Sequence, residues 1–198
     1  MFQVENEYLS YGKDSNHVKL LLYMFRKYGL KELIITSDHE FDWRNKMLDL
    51  SKYALHTING DQLDIRHMEF VKSQSPHFPI MVMELWCGWF DVWKNRKHQT
   101  QDSRLLNQFL SFLINNGSSF NLYMFIGGTN FGFTNGAINI TKYEVITTSY
   151  DYDAPLTEAG DTTPKYFLIR ELLLEFYKSI GIPYLPEVPP NLPKGNYG

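Results

Sequence analysis

The stretch FPIMVMELW, residues 78–86, is almost wholly apolar until it reaches a carboxylate, Glu84, and an indole, Trp86. Its length suits a strand better than a helix, and an apolar run without alternation reads as a strand buried on both faces. Such strands belong to parallel sheets whose faces are covered by helices. The neighbouring segments agree. SRLLNQFLSFLINNG, residues 103–117, follows it, with Leu105, Leu106, Phe109, Leu110 and Leu113 at helical spacing and Gly117 as a stop. SFNLYMFIGG, residues 119–128, is again an apolar strand.

Upstream, DQLDIRHMEFVKSQ (61–74) is weakly helical, YALHTI (53–58) and KELIITSD (31–38) read as strands, and MFQVENEY (1–8) as a short strand. DSNHVKLLLYMFRKYG (14–29) reads as a helix capped by Asp14 or Ser15 and closed by Gly29. A polar loop is expected from Thr129 to about Asp161. A last helix then starts at TTPKYF, with Pro164 at its first position, and ends near Gly181. Five strands alternating with helices make an α/β fold. They are too few for a closed barrel, which takes eight strands and roughly 250 residues. A doubly wound sheet suits the length, but GGTNFG lacks the GxGxxG spacing of a phosphate cradle and no GK[ST] occurs.

The tail GIPYLPEVPPNLPKGNYG holds five of the nine prolines, so residues 183–198 read as an extended linker after a domain spanning 1–182. The chain is expected to be cut at both ends, opening where a strand finishes and closing in a connector. Met1 leads straight into FQVENEY without the pattern of a signal peptide.

Composition narrows the function. The 198 residues are 43% hydrophobic and 21% charged, enough for one domain with a sizeable core. The net charge of −3 supplies no basic face for nucleic acid, and no run reaches the roughly 18 apolar residues of a membrane span. One cysteine, Cys87, excludes an internal disulfide. Sequons stand at Asn116 and Asn139 and matter only on the secretory route.

The candidates for chemistry sit at strand ends, where parallel sheets bind ligands. QVENEY ends at Asn6 and Glu7, FPIMVMELW at Glu84, and SFNLYMF carries Tyr123. Two carboxylates at two strand ends is what glycoside hydrolysis uses, one to protonate the leaving oxygen and one to attack or activate water. Trp86, Trp89 and Trp93 lie close by, and indole faces suit the C–H face of a sugar. The plainer readings stand beside these. Glu7 and Glu84 also fit capping or ion-pair roles, and tryptophans spaced by 3 and 4 also fit one buried helical stripe. Glu5 reads as structural.

No metal site is expected. There is no HExxH, Asp38–His39–Glu40 reads as a turn, and SYDYDAP (149–155) lacks the glycine and distal glutamate of a calcium loop.

Four motifs in order, QVENEY (3–8), ELWCGWFDVW (84–93), NLYMFIGGTNFGFTNGA (121–137) and TSYDYDAPLTEAGDTTPKY (148–166), resemble the family 35 glycoside hydrolases over nearly the whole chain. The resemblance implies a (β/α)8 TIM barrel, present here as an incomplete barrel of about strands 4–8, with QVENEY as the fourth. It implies retaining hydrolysis of terminal β-galactosyl residues, with Glu7 as acid/base and Glu84 as nucleophile. By the same matching Asn6 bonds the sugar 2-hydroxyl, and Trp89, Tyr123 and Tyr152 line the galactose pocket. β-Galactoside glycans are the implied substrates, no cofactor is implied, and the implied location is lysosomal or extracellular. Where the family usually has glycine after NEY, this chain has Leu9. A truncated, inactive sugar-binding or non-functional half-barrel is the alternative. Oligomeric state is left open.

Overall fold

A computed structural model describes residues 1–12, 14–39, 50, 52–61, 65–74, 76–182, 184–191 and 193. They form mixed α/β structure in two compact units. One comprises Met1–Trp86 with Leu113–Leu122, and the other Cys87–Phe112 with the described residues from Tyr123 onward.

In the first unit, β1 (Phe2–Gln3) pairs in parallel with β2 (Ile34–Ile35). Between them lies helix α2 (Ser15–Lys27), preceded by the single turn α1 (Tyr8–Tyr11). Asp14 caps α2 by accepting from the Asn16 N–H at 2.9 Å, and Gly29 (φ 92°) follows its end. Val18 and Leu22 bury against Val4, Ile34, Leu50 and Ala54 to make the core of this unit.

A four-stranded sheet follows in the order β3–β4–β5–β6, made of β3 (Asp38–His39), β4 (Ile58–Gly60), β5 (Met81–Trp86) and β6 (Ser119–Tyr123). β3 with β4 and β4 with β5 are parallel. Helix α3 (Ile65–Gln74) connects β4 to β5, and α4 (Ser103–Asn115) connects β5 to β6. The expected alternation of strand and helix is therefore present. α4 buries Leu106, Leu110 and Leu113, while Leu105 faces solvent.

Four expectations are corrected. The strand in MFQVENEY ends at Gln3, because Glu5 (φ 58°) and Glu7 (φ 49°) turn left-handed and the chain enters α1. KELIITSD splits into β2 and β3. The three tryptophans are not a helical stripe: Trp86 ends β5, Trp89 lies just past the bend that follows it, and Trp93 is 53% exposed in a turn. Helical spacing is not helical structure when the run starts inside a strand. Asp38 and His39, expected in a turn, form β3, and Glu40 lies outside the described residues.

The stretch after Thr129, expected to be a loop, also carries strands. In the second unit β7 (Gly128–Thr129) pairs antiparallel with β10 (Ser149–Tyr150), and β8 (Ala137–Asn139) with β9 (Tyr143–Val145). Gly136 and neighbouring polar residues hid the hairpin in the sequence. Helix α5 (Pro164–Ser179) closes the unit, with Thr163 accepting from the Tyr166 N–H and Pro164 where expected. Among the described residues no helix is long and apolar enough to cross a membrane.

Candidate active site

Glu7 follows β1 and caps α1 from a left-handed backbone. Non-glycine residues hold that conformation only where their surroundings enforce it. Here the Glu7 N–H donates to Ser37 O at 2.7 Å, and the Glu7 carbonyl accepts from the Ser10 N–H at 3.0 Å. Glu5, also left-handed, places Oε1 2.5 Å from His17 Nε2, and the His17 ring lies 5.0 Å from that of Tyr8. This ties the turn to α2 and agrees with a structural Glu5.

Glu84 reaches its place through an irregularity in β5. Ile58 pairs with Val82, but the next residue of β4, Asn59, pairs with Glu84. Met83 is thus an extra residue, a bulge of the kind that re-aims side chains. The burial pattern shows it, since the buried residues Val82 and Leu85 are three apart rather than two.

Asn59 links Glu7 to the strand that neighbours Glu84. Its Nδ2 donates to Glu7 Oε1 at 3.0 Å, while its own position in the sheet is opposite Glu84. Ser37 Oγ donates to Asn59 Oδ1 at 3.0 Å, which sets the direction of the amide. Trp86 Nε1 donates to Glu84 Oε2 at 3.0 Å, and the Trp86 ring lies 5.9 Å from that of His39.

Burial pushes the Glu84 carboxyl above the usual carboxylate range. The Trp86 hydrogen bond opposes this and the Glu7 charge adds to it. Glu7 therefore lies close enough for its charge to act on Glu84.

Sequence reasoning missed Asn59, which is fully buried. The available signal was an amide where YALHTI gives way to glycine, at the end of a strand. Asn6, expected to bond the sugar, is exposed, and its Oδ1 accepts from Gln3 Nε2 at 3.0 Å.

The second unit holds a cluster of rings. Tyr123, at the end of β6, meets Tyr152 edge-on at 5.3 Å, and Tyr152 lies 6.1 Å from Trp89 and 5.4 Å from Tyr150. Trp89 stacks on Phe90 at 4.8 Å. Trp89 and Tyr123 are partly exposed, whereas Tyr152 is 1% exposed. Cys87 is buried, donates to Met124 O at 2.7 Å and has its thiol pushed up to about 11 by burial, so it is no nucleophile. Among the described residues no group of three or more His, Cys, Asp or Glu side chains is arranged to hold a metal ion.

The family model described as glycosyl hydrolases family 35 matches residues 1–176. Beta-galactosidase-1-like protein 2 of Homo sapiens is 43% identical over 198 residues, covering 98% of this chain and 30% of that protein. Beta-galactosidase-1-like protein 3 of Homo sapiens is 40% identical over 195 residues, covering 98% and 29%. Beta-galactosidase of Mus musculus is 39% identical over 199 residues, covering 99% and 30%. The chain thus spans about three-tenths of the length of the relatives it matches. By the extent of the family match and the identity across nearly its whole length, this chain belongs to glycosyl hydrolases family 35.

Proposed function

We propose that this chain supplies the catalytic carboxylates of a retaining β-galactosidase-like glycosidase. The reading rests on Glu7 and Glu84, one bonded by the Asn59 amide and the other paired with Asn59 in the sheet, with the Glu7 charge acting on Glu84. Glu84 is the nucleophile. Trp86 occupies its Oε2, so Oε1 attacks the anomeric carbon and forms the glycosyl-enzyme. Glu7 is the acid/base. The Asn59 amide donates to its Oε1, so Oε2 carries the proton delivered to the leaving oxygen and later taken from water. Asn6, Trp89, Tyr123 and Tyr152 are assigned to sugar binding on their matching motif positions. Given its burial, Tyr152 backs the partly exposed Tyr123 and Trp89.

The same reading takes residues 1–182 as about strands 4–8 of a (β/α)8 barrel, residues 183–198 as a proline-rich linker, and β-galactoside glycans as substrates. It takes the location as lysosomal or extracellular.

One observation favours an inactive, sugar-binding chain instead. Among the described residues β1 has a partner on one side only, and both its residues are exposed. The test is hydrolysis of an aryl β-galactoside, with the anomeric form of the first product followed by NMR. Release of β-galactose ahead of the α-anomer supports the proposal. An α-anomer first would overturn the double displacement, and binding without turnover would establish the second reading.

A further inference from the structure

Lys165 is the second residue of α5, yet its side chain is only 5% exposed. A buried ammonium must be paired and hydrogen-bonded. Its Nζ donates to Cys87 O at 2.7 Å, to Asp153 O at 2.6 Å and to Asp153 Oδ2 at 2.6 Å. An ammonium has three donors, and all three are used.

The acceptors lie on two segments that each carry a ring. Cys87 is two residues before Trp89, and Asp153 directly follows Tyr152. Between them the backbones nearly touch, since a Cβ on Gly88 would stand 1.8 Å from Tyr152 O. Tyr152 (φ 62°) and Asp153 (φ 51°) are consecutive left-handed residues, a conformation that needs external support. Further bonds come from the Gln101 N–H to Asp153 Oδ2 at 2.8 Å and from the Asp153 N–H to Asp151 Oδ1 at 3.0 Å. His98 Nε2 also lies 3.2 Å from Asp151 Oδ1. His98 spans the same two segments, with Nδ1 2.5 Å from Asp91 Oδ2, but from an exposed side chain, whereas buried Lys165 holds a backbone carbonyl of each.

We propose that Lys165 is a positioning residue for sugar binding. It ties the Cys87 and Asp153 carbonyls so that the Trp89 and Tyr152 rings keep a fixed relation to each other and to Tyr123. This rests on the assignment of those rings to the sugar. Lys165 itself touches no substrate. Ring contacts act on ground state and transition state alike, so loosening them raises KM and leaves kcat nearly unchanged.

The test compares Lys165→Met, Tyr152→Ala and the double variant. The readouts are kcat and KM on an aryl β-galactoside and Kd for its non-hydrolysable thio-linked analogue. Expected is a rise of about tenfold in KM and Kd for Lys165→Met, the loss of one ring contact, with kcat within about twofold. In the Tyr152→Ala background the lysine change then adds nothing. Full additivity, or a folded Lys165→Met with unaltered KM beside an impaired Tyr152→Ala, overturns the proposal alone. A silent Tyr152→Ala, or no binding by the unaltered chain, overturns the sugar-binding assignment and the proposal with it. Should Lys165→Met fail to fold, Lys165→Gln decides, since it keeps hydrogen-bond donors in the buried site but ends one bond short of both carbonyls. A rise of about threefold in KM supports the clamp, and an unchanged KM overturns it.

Discussion

Asn59 Nδ2 donates to Glu7 Oε1 across 52 positions of sequence, and the same residue pairs with Glu84 in the sheet. A fully buried amide therefore holds one carboxylate from the strand position opposite the other, with Ser37 Oγ donating to its oxygen. Asn59→Ala would strand the Ser37 hydroxyl and one Glu7 oxygen together. The expected cost is about 1–3 kcal/mol in urea unfolding, with impaired turnover of the galactoside. Asn59→Asp should be worse at neutral pH than at pH 3, because it brings a third carboxylate into the site. Equal stability of Asn59→Asp at both pH values would contradict the contact.

The roles of Glu7 and Glu84 separate by product stereochemistry. With Glu84→Ala, added azide attacks from the face the carboxylate leaves open and gives the α-galactosyl azide. With Glu7→Ala, azide intercepts the glycosyl-enzyme and gives the β-galactosyl azide. Glu7→Gln should lose about 10²–10⁴-fold on a substrate with a poor leaving group, and far less on an activated aryl galactoside. The opposite pairing of anomers with variants would exchange the two roles.

The raised Glu84 carboxyl has a stability consequence of definite sign. Below its unfolded-state pKa both states are protonated and its burial carries no charge penalty. As pH rises through the raised folded value, the folded state must hold a partly buried charge and stability is lost. Glu84→Gln should therefore melt higher than the unaltered chain at pH 7 and the same near pH 3. The acid limb of kcat/KM should likewise lie above the ordinary glutamate range, since the nucleophile must be ionised. A Glu84→Gln chain that melts lower at pH 7 would show that burial does not penalise the charge.

Two adjacent glycines should respond oppositely to alanine. A Cβ on Gly127 would meet Tyr150 O at 2.1 Å and Asp151 O at 2.6 Å, both backbone atoms that cannot step aside. A Cβ on Gly128 meets nothing within 4 Å. Gly127→Ala should destabilise by about 1–3 kcal/mol, whereas Gly128→Ala should stay within about 0.5 kcal/mol. Thermal melts of the two variants check this, and equal shifts would contradict the packing under the Tyr150–Asp153 turn.

Much of this protein was legible in its sequence because the signals are local. Asp14 and Thr163–Pro164 mark helix starts, the leucines of α4 mark a buried face, and FPIMVMELW marks a central strand. Glu7 and Glu84 were legible as candidates from motif and strand-end position. The tryptophan spacing misled, because periodicity cannot tell a helix from the exit of a strand. The hairpin of β8 and β9 was hidden because its strands are three residues each, too short for an alternation to show.

By itself, then, the sequence determined where the main helices and the central strand form and which two carboxylates are candidates, since capping, periodicity and burial pattern act within a few residues. Only the tertiary structure decided that Met83 bulges to set Glu84 opposite Asn59, that Asn59 reaches Glu7, and that Lys165 binds Cys87 to Asp153. Those choices join residues dozens of positions apart. They are made by which buried donor finds which acceptor once the chain has packed, and nothing in local sequence specifies that pairing.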